Sequence, residues 1–121
     1  MSPFRVVQVS DTHLSRERPW FVSNFEAMVR IIAAGRPDLV VNTGDVPLDG
    51  ANREDDLAFA RQCHAALPVP FRVVPGNHDV GDNPWRPDVR PSISTGRLAR
   101  YRRHFGDDYW LVTAGPWSLI G

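Results

Sequence analysis

The chain of 121 residues sets fourteen arginines against fourteen acidic residues, holds no lysine, and is 42% apolar. That is the size and make-up of one globular domain, and its neutral total excludes a protein that grips polyanions through a net positive field, so nucleic acid is not an expected obligatory partner. No window approaches the ~18 apolar residues of a membrane span, Met1 to Arg5 lack a signal-peptide pattern, and Cys63 has no second cysteine to pair with. A cytoplasmic chain with no membrane contact and no internal disulfide is expected.

Phe4 to Val9 is a short β-branched run of the kind found in strands buried on both faces, and it ends abruptly in Ser10-Asp11-Thr12-His13. Ser23 with Glu26 fits a capping box ahead of an amphipathic helix. Its apolar face is Phe25, Met28, Val29 and Ile32, and Gly35 and Pro37 stop it. Asp38 to Asn42 reads as a second strand running into Thr43-Gly44-Asp45. A second helix spans about Arg53 to Leu67, with Asn52 as cap and Phe59, Ala60, Cys63 and Leu67 on one face. Phe71 to Val74 is a third strand that delivers Pro75-Gly76-Asn77-His78-Asp79. Val80 to Ser94, with Pro84, Pro87 and Pro91, has no period and is expected as a long loop. Thr95 to His104 reads as an Arg-rich helix closed by Gly106. Tyr109–Val112 and Trp117–Ile120 read as an antiparallel hairpin with Trp110 and Trp117 in its core.

Three strands alternating with two helices are the sequence form of a βαβαβ unit, an α/β fold with a parallel sheet and right-handed crossovers. All carboxyl ends of such a sheet face one edge, so Asp11, His13, Asp45 and the Asn77–Asp79 block are expected to meet in one crevice. A divalent metal needs several anionic or imidazole donors held with little freedom, and strand ends provide them. Asp11 and His13 are two residues apart, so in extended backbone their side chains point the same way and grip one ion. Asp45, with two carboxylate oxygens, can bridge two ions ~3.5–4 Å apart. Asn77 can offer a carbonyl oxygen to the second, with His78 facing the substrate.

These three blocks, Asp11-x-His13, Gly44-Asp45 and Gly76-Asn77-His78-Asp79, resemble the first three signature blocks of the calcineurin-like metallophosphoesterase superfamily. The likeness is strongest to its bacterial cyclic-nucleotide and glycerophosphodiester phosphodiesterase branch. The resemblance implies a four-layer αββα sandwich, of which this chain is the N-terminal portion, with two divalent ions (Mn, Fe or Zn) at the strand ends. It implies Asp11 and His13 on the first ion, Asp45 between both and Asn77 on the second. His78 would stabilise or protonate the leaving oxygen, Asp79 would orient His78, and a metal-bound hydroxide would attack a small phosphate ester. The family's downstream Gly-His and Gly-His-x-His blocks have no counterpart, since His104 is the only histidine after His78. The second ion is therefore expected to lack donors, and the domain to be truncated.

Outside these blocks, His64 reads as a flank residue of the second helix and Cys63 as a small core hydrophobe. Arg97, Arg100, Arg102 and Arg103 read as a solvated face, whereas Trp85, Arg86 and Arg90 follow His78 closely enough to meet a phosphate-bearing substrate. No G-x-S-x-G, P-loop or G-x-G-x-x-G motif is present, which removes serine-hydrolase, nucleotide-kinase and dinucleotide chemistry. The reading is thus a metallophosphoesterase acting on phosphodiesters or small phosphomonoesters. Its alternative is a non-catalytic interaction module with a remnant metal site, in which the incomplete sheet pairs with another chain or a second copy.

Overall fold

A computed structural model describes residues 2–85, 88 and 91–121. The expected βαβαβ order is present: β1 (Val6–Val9), α1 (Val22–Gly35), β2 (Leu39–Asn42), α2 (Glu54–Ala65) and β3 (Phe71–Val73). The strands are parallel in the order β1-β2-β3, in a register that pairs Val9 with Asn42 and Asn42 with Val73. Central β2 is the buried strand, with Leu39, Val40 and Asn42 inside. β1 was expected to be buried on both faces and is not. It lies at the sheet edge, where Val6 and Gln8 are exposed and Val7 and Val9 are half-buried.

The helices bury the apolar stripes that their periods predict, but their ends differ from the expectation. On α1, Phe25 and Ile32 are buried and Met28 and Val29 pack against the core. Ser23 is not a cap. The helix begins at Val22 behind Phe21 and has no side-chain cap bond, and at its other end Arg36 takes the left-handed conformation and donates its N–H to the Ile32 carbonyl at 2.8 Å. On α2, Asn52 gives its amide to Asp49 at 2.9 Å instead of capping the helix. The buried face is rotated to Asp56, Leu57, Ala60 and His64, because the buried Asp56 carboxylate accepts from Ser15 Oγ (2.7 Å), Asp49 N (3.1 Å) and Arg18 Nη2 (3.3 Å). Phe59 and Cys63 are only half-buried in consequence.

After β3 the chain forms a one-turn helix, α3 (Asn77–Val80), and a loop tied by Asp82 N to Pro91 O at 2.7 Å and Ile93 N to Asp82 O at 2.9 Å. Helix α4 (Thr95–Phe105) is capped by Ser94 Oγ, which accepts from Arg97 N. Its arginines are not uniformly solvated. Arg97 and Arg100 both donate to the Ala51 carbonyl, and Arg97 also donates to Ser92 O, pinning α4 to the segment that follows Asp45. Arg102 and Arg103 pair at the surface with Asp108 and Glu54.

A separate antiparallel hairpin, β4 (Leu111–Ala114) and β5 (Trp117–Ile120), turns at Gly115-Pro116, with Gly115 at φ 59°. The two tryptophans are not its core: Trp117 is 72% exposed, and Trp110 reaches away to donate its indole N–H to Val73 O at 2.9 Å. A two-stranded ribbon has no second layer of its own to bury such rings.

Candidate metal centre

The loops after β1 and β2 keep pairing beyond the strands. Asp11 N donates to Gly44 O (3.0 Å), His13 N to Asp45 O (3.0 Å) and Leu14 N to Val46 O (2.9 Å). The backbone is not extended as expected, because Asp11, His13 and Asp45 sit at φ 57°, 45° and 54°. They are three of the four non-glycine residues with positive φ among the described residues. Asp and His tolerate this region better than most, yet each still costs on the order of 1 kcal/mol, and such strain persists only where the surroundings enforce it. The enforcement brings three side chains to one point: one ligand atom from each of Asp11, His13 and Asp45 lies within 4.8 Å of the others.

The donor set suits a divalent ion. Two carboxylates and an imidazole are its preferred ligands, and His13 Nδ1 is buried with no hydrogen-bond partner among the described residues. His13 Nε2 stands 3.6 Å from Asp11 Oδ1, and Ser10 Oγ donates to Asp11 Oδ2 at 2.5 Å, holding the more exposed carboxylate.

The third block closes the site against Asp45. A Cβ on Gly44 would stand 2.8 Å from Gly76 N, and one on Gly76 would run into the Asp45 carboxylate and lie 2.7 Å from Asp45 N, so only glycine lets these turns meet. His78 donates its N–H to Asp45 Oδ1 at 3.0 Å, and its ring meets that of His13 edge-on at 4.6 Å between centroids. His78 Nδ1 lies 2.5 Å from the Leu48 carbonyl, which can only accept, so Nδ1 carries the proton and Nε2 is left for a ligand. Asn77 lines a cavity of about 190 Å³ together with Asp49, Asn52, His78 and Asp82.

Asp79 does not orient His78 as expected. Its buried Oδ2 accepts three amides, Asp45 N (2.7 Å), Gly76 N (2.9 Å) and Val46 N (3.3 Å), so it staples the second and third blocks together. Burial pushes its carboxyl up to about 7 against the pull of those three donors. The Tyr101 hydroxyl is also buried without a partner among the described residues, and burial with the Asp79 charge raises its phenol above the ordinary range. Trp85 is 87% exposed, while Arg86 and Arg90 lie outside the described residues.

Two residues the sequence reading undervalued lie beneath the site. Asn42 and His64 are both fully buried, and burial drops the His64 imidazole to about 4. The signal available was a polar Asn closing an otherwise apolar central strand, where the pattern calls for a hydrophobe.

Two aspartates and a histidine thus converge at the carboxyl edge of a parallel sheet, and the sequence profile of the calcineurin-like phosphoesterase family matches residues 4–118. The chain belongs to that family. A curated relative, the probable glycerophosphodiester phosphodiesterase GpdQ of Arcobacter nitrofigilis, is 37% identical over 86 residues, which take in 64% of this chain and 31% of that protein. This chain therefore spans about a third of that relative's length. Among solved structures, the purple acid phosphatase PPD1 from yellow lupin (Lupinus luteus) seeds superposes with a TM-score of 0.64 over 96% of this chain and 23% of that one, at 15% identity, a likeness of fold. No helix among the described residues is long and apolar enough to cross a membrane.

Proposed function

We propose that the chain carries the metal-binding strand ends of a phosphoesterase domain that hydrolyses phosphodiesters or small phosphomonoesters. In this reading Asp11 and His13 hold a first divalent ion, Asp45 is shared with a second, Asn77 contributes to the second, and His78 is the catalytic residue. The observation that carries it is the meeting of Asp11, His13 and Asp45 within 4.8 Å at a strained strand edge, with the His78 imidazole against His13. A bound divalent ion supplies Lewis acidity towards a phosphoryl oxygen and lowers the pKa of water towards neutrality.

The protein's own part is positional. The Leu48 carbonyl fixes the His78 ring so that Nε2 can hold or deliver a proton at the leaving oxygen, a role worth roughly 10²–10⁴ in rate. Asp79 keeps the turn that carries His78 docked on Asp45. The second ion needs more donors than Asp45 and Asn77, and His104 is not one of them, since it pairs with Glu54 at 3.0 Å. In this reading further donors complete the second site.

Hydrolysis of bis-p-nitrophenyl phosphate with added Mn²⁺ tests the reading, using this chain and the chain extended by its downstream coding sequence. Turnover that needs the metal and drops about a hundredfold or more in His78→Ala is expected. Turnover indifferent to chelation, or none in either chain, would overturn it.

A second reading has one observation in its favour. Leu111 and Ile120, paired across one face of the hairpin, are 62% and 80% exposed, an apolar pair of the kind that packs against another surface. Here the chain is an interaction module and its metal residues a remnant. An extended chain inactive at every metal concentration yet tightly self-associated would favour it.

A further inference from the structure

Asn42 ends the central strand and His64 lies on α2, and their side chains make a fully specified chain of hydrogen bonds. His64 Nδ1 is 2.9 Å from Ala60 O, which can only accept, so the proton sits on Nδ1 and Nε2 accepts from Asn42 Nδ2 at 3.1 Å. The second hydrogen of that amide goes to Thr12 Oγ1 at 3.3 Å, and Thr12 Oγ1 in turn donates to Val46 O at 3.0 Å. Asn42 Oδ1 accepts from Gly44 N at 3.1 Å. Thr12 lies between Asp11 and His13, and Gly44 precedes Asp45.

We propose that the buried Asn42–His64 pair is a positioning device for the metal centre, holding the Asp11–His13 loop and the Gly44–Asp45 loop in a fixed mutual arrangement. The inference rests on the metal-site reading given above. Both side chains are at 0% exposure, so neither can exchange its partners for water. The three strained ligand residues supply the demand for such a brace, because left-handed backbone relaxes unless the surroundings over-determine it. The rings of Phe25 and Phe71 stand 5.0 and 5.5 Å from the His64 ring and Phe105 stands 6.3 Å away, so the imidazole cannot turn to a different partner without opening the core. An apolar side chain at position 64 would pack as well. What histidine adds there is an acceptor that fixes the Asn42 amide, and through it both loops.

The test measures Mn²⁺ affinity by calorimetry and amide hydrogen exchange in the metal-free chain, for wild type, His64→Phe, His64→Gln, Asn42→Leu and the double variant His64→Phe/Asn42→Leu. His64→Phe and Asn42→Leu should each weaken Mn²⁺ binding by about tenfold or more, the usual effect of losing an outer partner. They should also speed exchange at the Asp11, His13 and Gly44 amides. The double variant should be no worse than the poorer single one, and His64→Gln, which restores an acceptor, should recover part of the affinity. Ile32→Ala, a core truncation outside the network, controls for lost stability. Wild-type affinity and exchange in His64→Phe, or equal losses in Ile32→Ala at matched melting temperature, would overturn the proposal. Asp45→Asn separates the two levels: if it binds Mn²⁺ like wild type the metal reading fails, and the exchange rates still decide whether the pair braces the loops.

Discussion

The two edges of this molecule are built on opposite terms. At the carboxyl edge of β1 and β2 the backbone is tied by paired loop amides, by Asp79 Oδ2 on three N–H groups and by the Asn42–His64 pair beneath, while His13 Nδ1 and Asp79 Oδ1 are buried with no partner among the described residues. On the hairpin, beyond the ribbon's own bonds, Trp110 Nε1 to Val73 O is the hydrogen bond that reaches the sheet among the described residues, and Leu111, Trp117 and Ile120 stay in solvent. The contrast teaches that the edge tied most closely by hydrogen bonds and burial is the one that gathers the candidate metal ligands.

The sharpest way to break that edge is Gly76→Ala. Its methyl has nowhere to go but into the Asp45 carboxylate and amide, so a stability loss of roughly 3 kcal/mol is expected in urea, together with loss of metal affinity. Acid should act next. The rings of Phe25, Phe71 and Phe105 and the Asn42 amide surround His64, Arg61 is the charged group bearing on it, and desolvation holds its pKa at about 4 against 6.5 unfolded. Below pH 6.5 the unfolded chain takes up a proton that the native chain refuses. The His64 contribution to stability should therefore fall by up to about 3 kcal/mol between pH 6.5 and 4, while Asp79, whose carboxyl is raised to about 7 in the fold, takes up its proton first in the native state and acts in the opposite sense over the same window. Urea midpoints should therefore be read as the difference between wild type and His64→Phe, which should shift against wild type as pH falls from 6.5 to 4, with His64→Phe alone gaining stability on acidification through Asp79. The hairpin should respond least. Trp110→Phe removes one anchoring hydrogen bond, about 1 kcal/mol, and should speed amide exchange in β4 and β5, whereas Trp117→Ser should stay within about 0.5 kcal/mol.

Sequence periodicity made the strand and helix order legible, because short β-branched runs and i, i+3, i+4 stripes are local signals. It also made legible that Asp11, His13, Asp45 and His78 would meet, since they follow strands whose carboxyl ends must share one edge. What it missed depends on tertiary partners. Ser23 and Asn52 are good caps in isolation, but the chain enters α1 and α2 without them, and Asp56 draws α2 round so that His64, not Phe59, faces the core. The edge position of β1 and the exposure of Trp117 follow from which surfaces meet, which no local pattern records. The left-handed backbone at Asp11 and His13 was equally hidden, and the two side chains converge with it where extended strand geometry was expected to do the work.

The central claim is that Asp11, His13 and Asp45 form a metal site. Calorimetric titration of Mn²⁺ into wild type and Asp45→Asn tests it most directly, because asparagine keeps the Oδ1 that accepts from His78 N and so spares the fold. Saturable binding in wild type, weakened in Asp45→Asn by more than the ~10–100-fold that loss of an outer partner costs, is the predicted result. Equal affinity in the two proteins, or no saturable binding in wild type, would contradict it.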